Sequence, residues 1–345
     1  MKKIIVVLFM LMVAGFGFSL EVIPTIDLRM DLGAKVDLSD SKDDPTWIFD
    51  PFNNGTAIGA KVIGKNAGGW MHLRGDAMNL NNGTIDPYGG IFGELWVKFG
   101  YVTVAAGRTE AWAQWSKLDL FGDNNWAFGA STSMNSPFIR IDAAGFYFGL
   151  HEAGINGKYI SEKQSVIPRD NAPIPGFFLG YDFIQEYVLS AGVIVAGQYL
   201  GEDIDNGYFP FMFNFHTRVL AYKYINFGFN ISFYLAPENA PGFFAINSCP
   251  VLMRNPGTGT SRVVESMIDF NAELPPCDIT LSVAYVMDII KENSGFKLGS
   301  SFKFPVGDTG FSFIPGLIYT NIFQLDGSNV KTSWLDVGMS CLYSF

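Results

Sequence analysis

Covalent chemistry in this 345-residue chain would have to begin from three histidines, His72, His151 and His216. His72 and His216 stand two positions from Arg74 and Arg218 in alternating segments, on rows that are otherwise polar, so both read as wall groups rather than general bases. His151 stands where such a segment runs into a loop. No His-x-x-x-His, Cys-x-x-Cys or Gly-x-Ser-x-Gly occurs, which argues against a metalloenzyme or a hydrolase. Cys249, Cys277 and Cys341 lack metal-ligand spacing. The acidic pairs Asp119 with Asp123 and Asp43 with Asp44 read as solvated loop charge, a divalent cation being the alternative. No catalytic residue, metal or cofactor is therefore assigned. What remains is electrostatic. Glu110, Lys117, Asp119 and Asp123 share one non-alternating stretch, 110–135, whereas Arg29, Arg74, Lys98, Arg108 and Arg140 lie in alternating segments. Opposed across water, the two sets would orient a passing dipolar solute without making or breaking a bond.

The elements that must hold these charges are legible as period-two segments. Ile26, Leu28, Met30, Leu32, Ala34, Val36 and Leu38 alternate with Asp27, Arg29, Asp31, Gly33, Lys35 and Asp37, so a strand here has one apolar and one charged face. Sixteen such strands are expected, at 26–38, 55–64, 69–79, 92–99, 101–109, 136–142, 145–151, 176–184, 187–198, 209–220, 224–235, 263–274, 277–288, 294–304, 310–321 and 332–345; fourteen or eighteen are the alternatives. Short turns alternate with longer loops along the chain. The expectation is an all-β fold, a transmembrane antiparallel β-barrel with short periplasmic turns and long extracellular loops.

Charge placement separates such a barrel from a soluble sandwich, because a charge on the lipid face near mid-membrane costs roughly 2–4 kcal/mol. The polar rows carry twelve acids and nine bases, and the apolar rows almost none. Arg108 is the exception, in register with Val102, Val104 and Ala106; it either snorkels at the rim or is turned inward by a bulge. Twenty-one inward charges imply a water-filled lumen, with a mild preference for cations. Trp70, Trp96, Phe138, Tyr147 and Tyr234 fall on the same rows and keep open a track for a sugar.

Lys2 and Lys3, the apolar run Ile4–Val13 and the small Ala14 and Gly15 form a secretory signal peptide, with cleavage expected near Ser19 or Leu20. The domains are then 1–20, a cleaved signal peptide, and 21–345, the barrel, with no room before the first strand for a plug. Loss of Lys2 and Lys3 leaves 21 basic residues against 33 acidic ones, about −12, a poor balance for nucleic acid.

At the C-terminus Leu335, Val337, Met339, Cys341, Tyr343 and Phe345 share one face. This resembles the assembly signal of bacterial outer-membrane proteins, which implies recognition of Tyr343 and Phe345 by the barrel-insertion machinery. A second resemblance lies in Gly93–Arg108, where a turn at Phe99-Gly100 joins two strands and the second ends in Gly107-Arg108. It looks like the hairpin before the constriction loop of the general bacterial porin family. The resemblance implies that loop 110–135 folds into the barrel, that small hydrophilic solutes and ions diffuse through passively, and that the chain forms a homotrimer in outer-membrane lipid. Leu120-Phe121-Gly122-Asp123 resembles the acidic Phe-Gly segment of that loop, without its usual proline and glutamate. The rival readings are a channel specific for a sugar or an apolar compound, and a surface adhesin or structural barrel.

Overall fold

The computed structural model describes residues 21–39, 44–51, 56–74, 78–79, 84–85, 91–109, 118, 120, 136–153, 174–198, 211–236, 261–289, 294–323 and 331–345. The expected signal peptide, 1–20, lies outside them. The wall runs β1 (Glu21–Asp37), β2 in two segments (Thr46–Pro51 and Ala57–Ile63), β3 (Ala67–Arg74), β4 (Ile91–Phe99), β5 (Val102–Thr109), β6 (Ser136–Ala143), β7 (Phe146–Ala153) and β8 (Ile174–Gln185). It continues with β9 (Val188–Gln198), β10 (Phe211–Tyr222), β11 (Ile225–Ala236), β12 (Ser261–Leu274), β13 (Cys277–Asp288), β14 (Ser294–Pro305), β15 (Phe311–Phe323) and β16 (Lys331–Ser344). Each strand pairs antiparallel with the next, and β16 pairs with β1 from Asp27↔Ser344 to Asp37↔Trp334, closing a sixteen-position barrel. A small hairpin, Met78–Asn79 with Thr84–Ile85, stands apart from the wall.

Several boundaries differ from the sequence expectation: the strand expected at 69–79 ends at Arg74, Met78–Asn79 belonging to the small hairpin. β1 begins at Glu21, because Glu21–Asp27 finds partners in Ile63–Ala57. Thr46–Pro51, expected within a loop, is the upper half of β2 and pairs with Lys35–Met30. Between the two halves of β2 the ladder opens beside Arg29, and there the Thr56 hydroxyl accepts from Arg29 N at 3.0 Å and donates to Arg29 O at 3.3 Å. A side chain thus satisfies both peptide groups of Arg29, as buried peptide groups require.

The turns at one end are as tight as the sequence implies. Ala143 pairs with Phe146 across Ala144 and Gly145, whose φ values of 51° and 86° are both left-handed. That is the geometry in which a two-residue hairpin matches the twist of its strands.

The faces are inverted relative to a soluble protein. Ile268, Val283 and Leu298 lie side by side on β12, β13 and β14, and all three are exposed, Val283 at 49%. The alternate positions Asp269 and Ser282 pair with each other on the inner face and are buried. Apolar side chains outward and polar ones inward are what a barrel standing in hydrocarbon requires. On this basis Val283→Arg is expected to lower unfolding free energy in bilayers or micelles by about 2–4 kcal/mol, far above the ~0.5 kcal/mol of an exposed site in a water-soluble protein. Denaturant titration followed by tryptophan fluorescence measures it, and a near-zero change would place this face in water.

Candidate functional site

The lumen wall is built from the inward rows, and the first question is where the expected charges stand. Arg29, Lys98 and Arg140 are on inward positions of β1, β4 and β6. Arg74 ends β3 opposite Ala57. Arg108 pairs with Gly93 and Pro137 in a register that runs unbroken to Val102, so no bulge turns this position inward; it shares the outward row of Leu95 and Ala106. The side chains of Arg74 and Arg108 lie outside the described residues, as do Glu110, Lys117, Asp119 and Asp123.

The inward arginines with described side chains are tied along the wall. Arg140 donates from Nε to both oxygens of Asp142, at 2.8 and 3.0 Å, and from its two terminal nitrogens to the two oxygens of Glu94, at 3.1 and 3.2 Å. Arg29 donates to Asp31 at 3.1 Å and to Ser340 Oγ at 2.8 Å. Arg218 donates to both oxygens of Asp269, at 2.7 and 2.8 Å, and to Asn226 Oδ1 at 2.6 Å. A guanidinium is planar and carries a fixed fork of donors, so two-oxygen contacts of this kind orient it as well as neutralise it. Breaking a buried pair from one side strands the other charge, at a cost of roughly 3–5 kcal/mol. Beside Arg218 an amide and hydroxyl row continues: Asn214 donates to Asn230 Oδ1 and Ser232 Oγ at 2.6 and 2.7 Å, and Asn271 to Thr280 Oγ1 at 3.0 Å.

Inward glycines let the larger groups lie flat. A Cβ on Gly180 would run into the Tyr147 ring, and one on Gly68 into the Trp96 indole. Trp70, Trp96, Phe138 and Tyr147, the expected lumen aromatics, all occupy inward positions. Position 234 pairs with Met212 and Val263 on the inner row, its side chain lying outside the described set. His72 meets Thr25 Oγ1 at 3.2 Å, and His216 meets Asn214 Oδ1 at 3.3 Å and Asp182 at 3.8 Å, so both are wall residues.

The resemblance implied that loop 110–135 folds into the barrel; of its residues the structure describes Leu118 and Leu120, and the second makes an apolar contact with the inner wall. Leu120 is 1% exposed, and a Cβ built on Gly316 of β15 would sit 3.1 Å from its Cδ2. Leu120 follows β5 in the chain yet lies against β15. There the inner row mixes Ile314, Gly316, Ile318 and Ile322 with Ser312 and Thr320, and Ile314 and Ile322 are fully buried. The signal was available: Ile314, Ile318 and Ile322 recur at every fourth residue of 311–323, on the row opposite Phe311, Phe313, Leu317 and Phe323. Asp50, opposite Asp31, and the buried Asp288 are inward acids that the sequence reading also missed.

No protein-family model matches the chain, and no curated protein matches it. Its barrel is similar to those of several solved structures. The outer membrane channel DcaP of Acinetobacter baumannii aligns over 94% of this chain and 97% of that one, with a TM-score of 0.63 and 14% identity. An anion-selective porin from Comamonas acidovorans aligns over 94% and 100%, with a TM-score of 0.59 and 13% identity. A further porin covers 94% and 100%, at 0.55 and 10%. The chain therefore has the fold of the bacterial outer-membrane porins.

Leu120→Asp sets a carboxylate against the Ile314–Ile322 row, at a desolvation cost of several kcal/mol. It is expected to free the loop and raise the size limit for polyethylene glycols entering the lumen, read as their effect on conductance. An unchanged size limit would mean that this leucine does not hold the loop.

Proposed function

We propose that the chain is an outer-membrane porin, exported with a signal peptide cleaved near residue 20, that lets small hydrophilic solutes and ions diffuse down their gradients with a mild preference for cations. The observation that carries this reading is the closed barrel with an apolar outer face, a charged inner face and a loop leucine set across the lumen against Gly316. A hydrated bore narrowed part-way selects by size and by wall charge. Asp50 and Asp288 add to the inward acids and strengthen the cation preference. Under this reading the long loops face outward from the cell, the tight turns face the periplasm, and opposed charges at the eyelet come from Glu110, Lys117, Asp119 and Asp123 and from Arg74 and Lys98. The homotrimer follows from the same reading.

A solute-specific channel is the second reading, favoured by Trp70 and Trp96 on the half-exposed side of the lumen. Tight, saturable block of ion current by one sugar class would select it.

Purified protein in a planar bilayer is expected to give large, ohmic, long-lived steps and a reversal potential on the potassium side of a potassium chloride gradient. A correctly assembled barrel that stays silent overturns the porin reading, and anion preference overturns the selectivity. Phe345 exchanges hydrogen bonds with Ile26 at 2.9 and 3.0 Å. Deleting it removes two bonds worth about 0.5–1.5 kcal/mol each, together with the terminal aromatic. Assembled, heat-modifiable barrel in outer-membrane fractions is expected to fall sharply, and wild-type levels would remove the assembly role of the last strand.

A further inference from the structure

We infer that cation preference is set on the wall by Glu94, Asp142 and Asp182, with Arg140 acting as a positioning clamp that lends the lumen no net positive charge. The inference rests on the porin reading above and specifies its selectivity.

The three carboxylates come from inward rows of β4, β6 and β8, Asp142 and Asp182 close to the tight-turn ends of their strands and Glu94 near the middle of its own. Arg140 stands between two of them. Its Nε is engaged by Asp142 and its terminal nitrogens by Glu94, all at 2.8–3.2 Å. A guanidinium spanned in this way presents carboxylate oxygens on both flanks, so a mobile ion beside the cluster meets two negative groups for one positive. Asp182 stands further along the same side; its side chain is 56% exposed, the neutral His216 ring lies 3.8 Å away, and the charges of Arg140 and Asp142 act on its carboxylate. Lys98 lies on the same row as Glu94 but nearer the turn end, and Lys61 stands opposite Trp70. Counting Lys98, the group holds three carboxylates against two cations and remains anionic.

The same construction recurs where Arg29 meets Asp31 and where Arg218 meets Asp269, both pairs buried. The row of wall arginines suggested by the sequence is therefore not a ladder for anions. Each of these guanidinium groups is spent on holding a carboxylate in place. On the half-exposed side of the lumen, where Glu94, Arg140 and Asp142 stand, the arrangement is open enough for a permeating ion to sense it.

The test is the potassium-to-chloride permeability ratio from reversal potentials, in wild type, E94Q/D142N, D182N and R140Q. Changing two unit charges at about 8 Å in water-like dielectric alters an ion's local concentration severalfold, so E94Q/D142N is expected to lower the ratio by roughly threefold or more. D182N is expected to lower it less, and R140Q to raise it. A purely structural role for the cluster would alter yield and conductance together without moving the ratio in these opposite directions. An unchanged ratio in a conducting E94Q/D142N channel, or a lowered one in R140Q, overturns the inference while leaving the porin reading intact. A wild-type channel that does not conduct removes both. If E94Q/D142N fails to assemble, D182N decides, since its exposed side chain is replaceable without loss of a buried pair.

Discussion

In hydrocarbon, a peptide group without a hydrogen-bond partner costs several kcal/mol, and an open sheet edge would present a row of them. Everything else in this structure depends on β1 meeting β16 along its length, from Asp27↔Ser344 to Asp37↔Trp334, with Ile26 and Phe345 extending the ladder by one more exchange. The demand is visible even where the ladder fails. Between the halves of β2 the Thr56 hydroxyl serves both the N–H and the C=O of Arg29.

Closure dictates the chemistry of the two faces. The outer rows, Ile268, Val283 and Leu298 among them, need only be apolar, because lipid tails make no directional demands. The inner rows face a narrow aqueous space in which unpaired charges would repel one another. The solution is pairing along the wall: Arg140 with Glu94 and Asp142, Arg218 with Asp269, and amide chains such as Asn214–Asn230–Ser232 between them. Large inward groups lie over inward glycines, Tyr147 on Gly180 and Trp96 on Gly68, so that they narrow the bore less. The contact at Leu120 uses a different interaction, apolar burial beside Ile314, Gly316 and Ile318 of β15. Hydrophobic contact holds a loop against a wall without competing with the lumen's charges for hydrogen bonds.

The sequence by itself determined the strands and their two faces. A two-residue period is a local property, written in neighbours such as Leu28, Arg29 and Met30, and sixteen segments of it separated by alternating short and long connections leave little choice of architecture. It also placed Trp70, Trp96, Phe138 and Arg140 on inner rows correctly, since row membership follows from parity within one strand. It missed Thr46–Pro51 because that segment becomes a strand only through its pairing with β1.

What tertiary structure alone decided is which inner residues meet. Arg140 and Glu94 are 46 positions apart and Arg218 and Asp269 are 51 apart, so their pairing depends on the register of the intervening strands and not on any local pattern. The sequence marked the arginines as wall charges free to face the loop acids, whereas the register brings carboxylates within reach of each described guanidinium. Leu120 and Gly316 are further apart still, and they meet only because the closed barrel brings that residue to a distant strand. Parity is written residue by residue; register and closure are set by the whole wall at once.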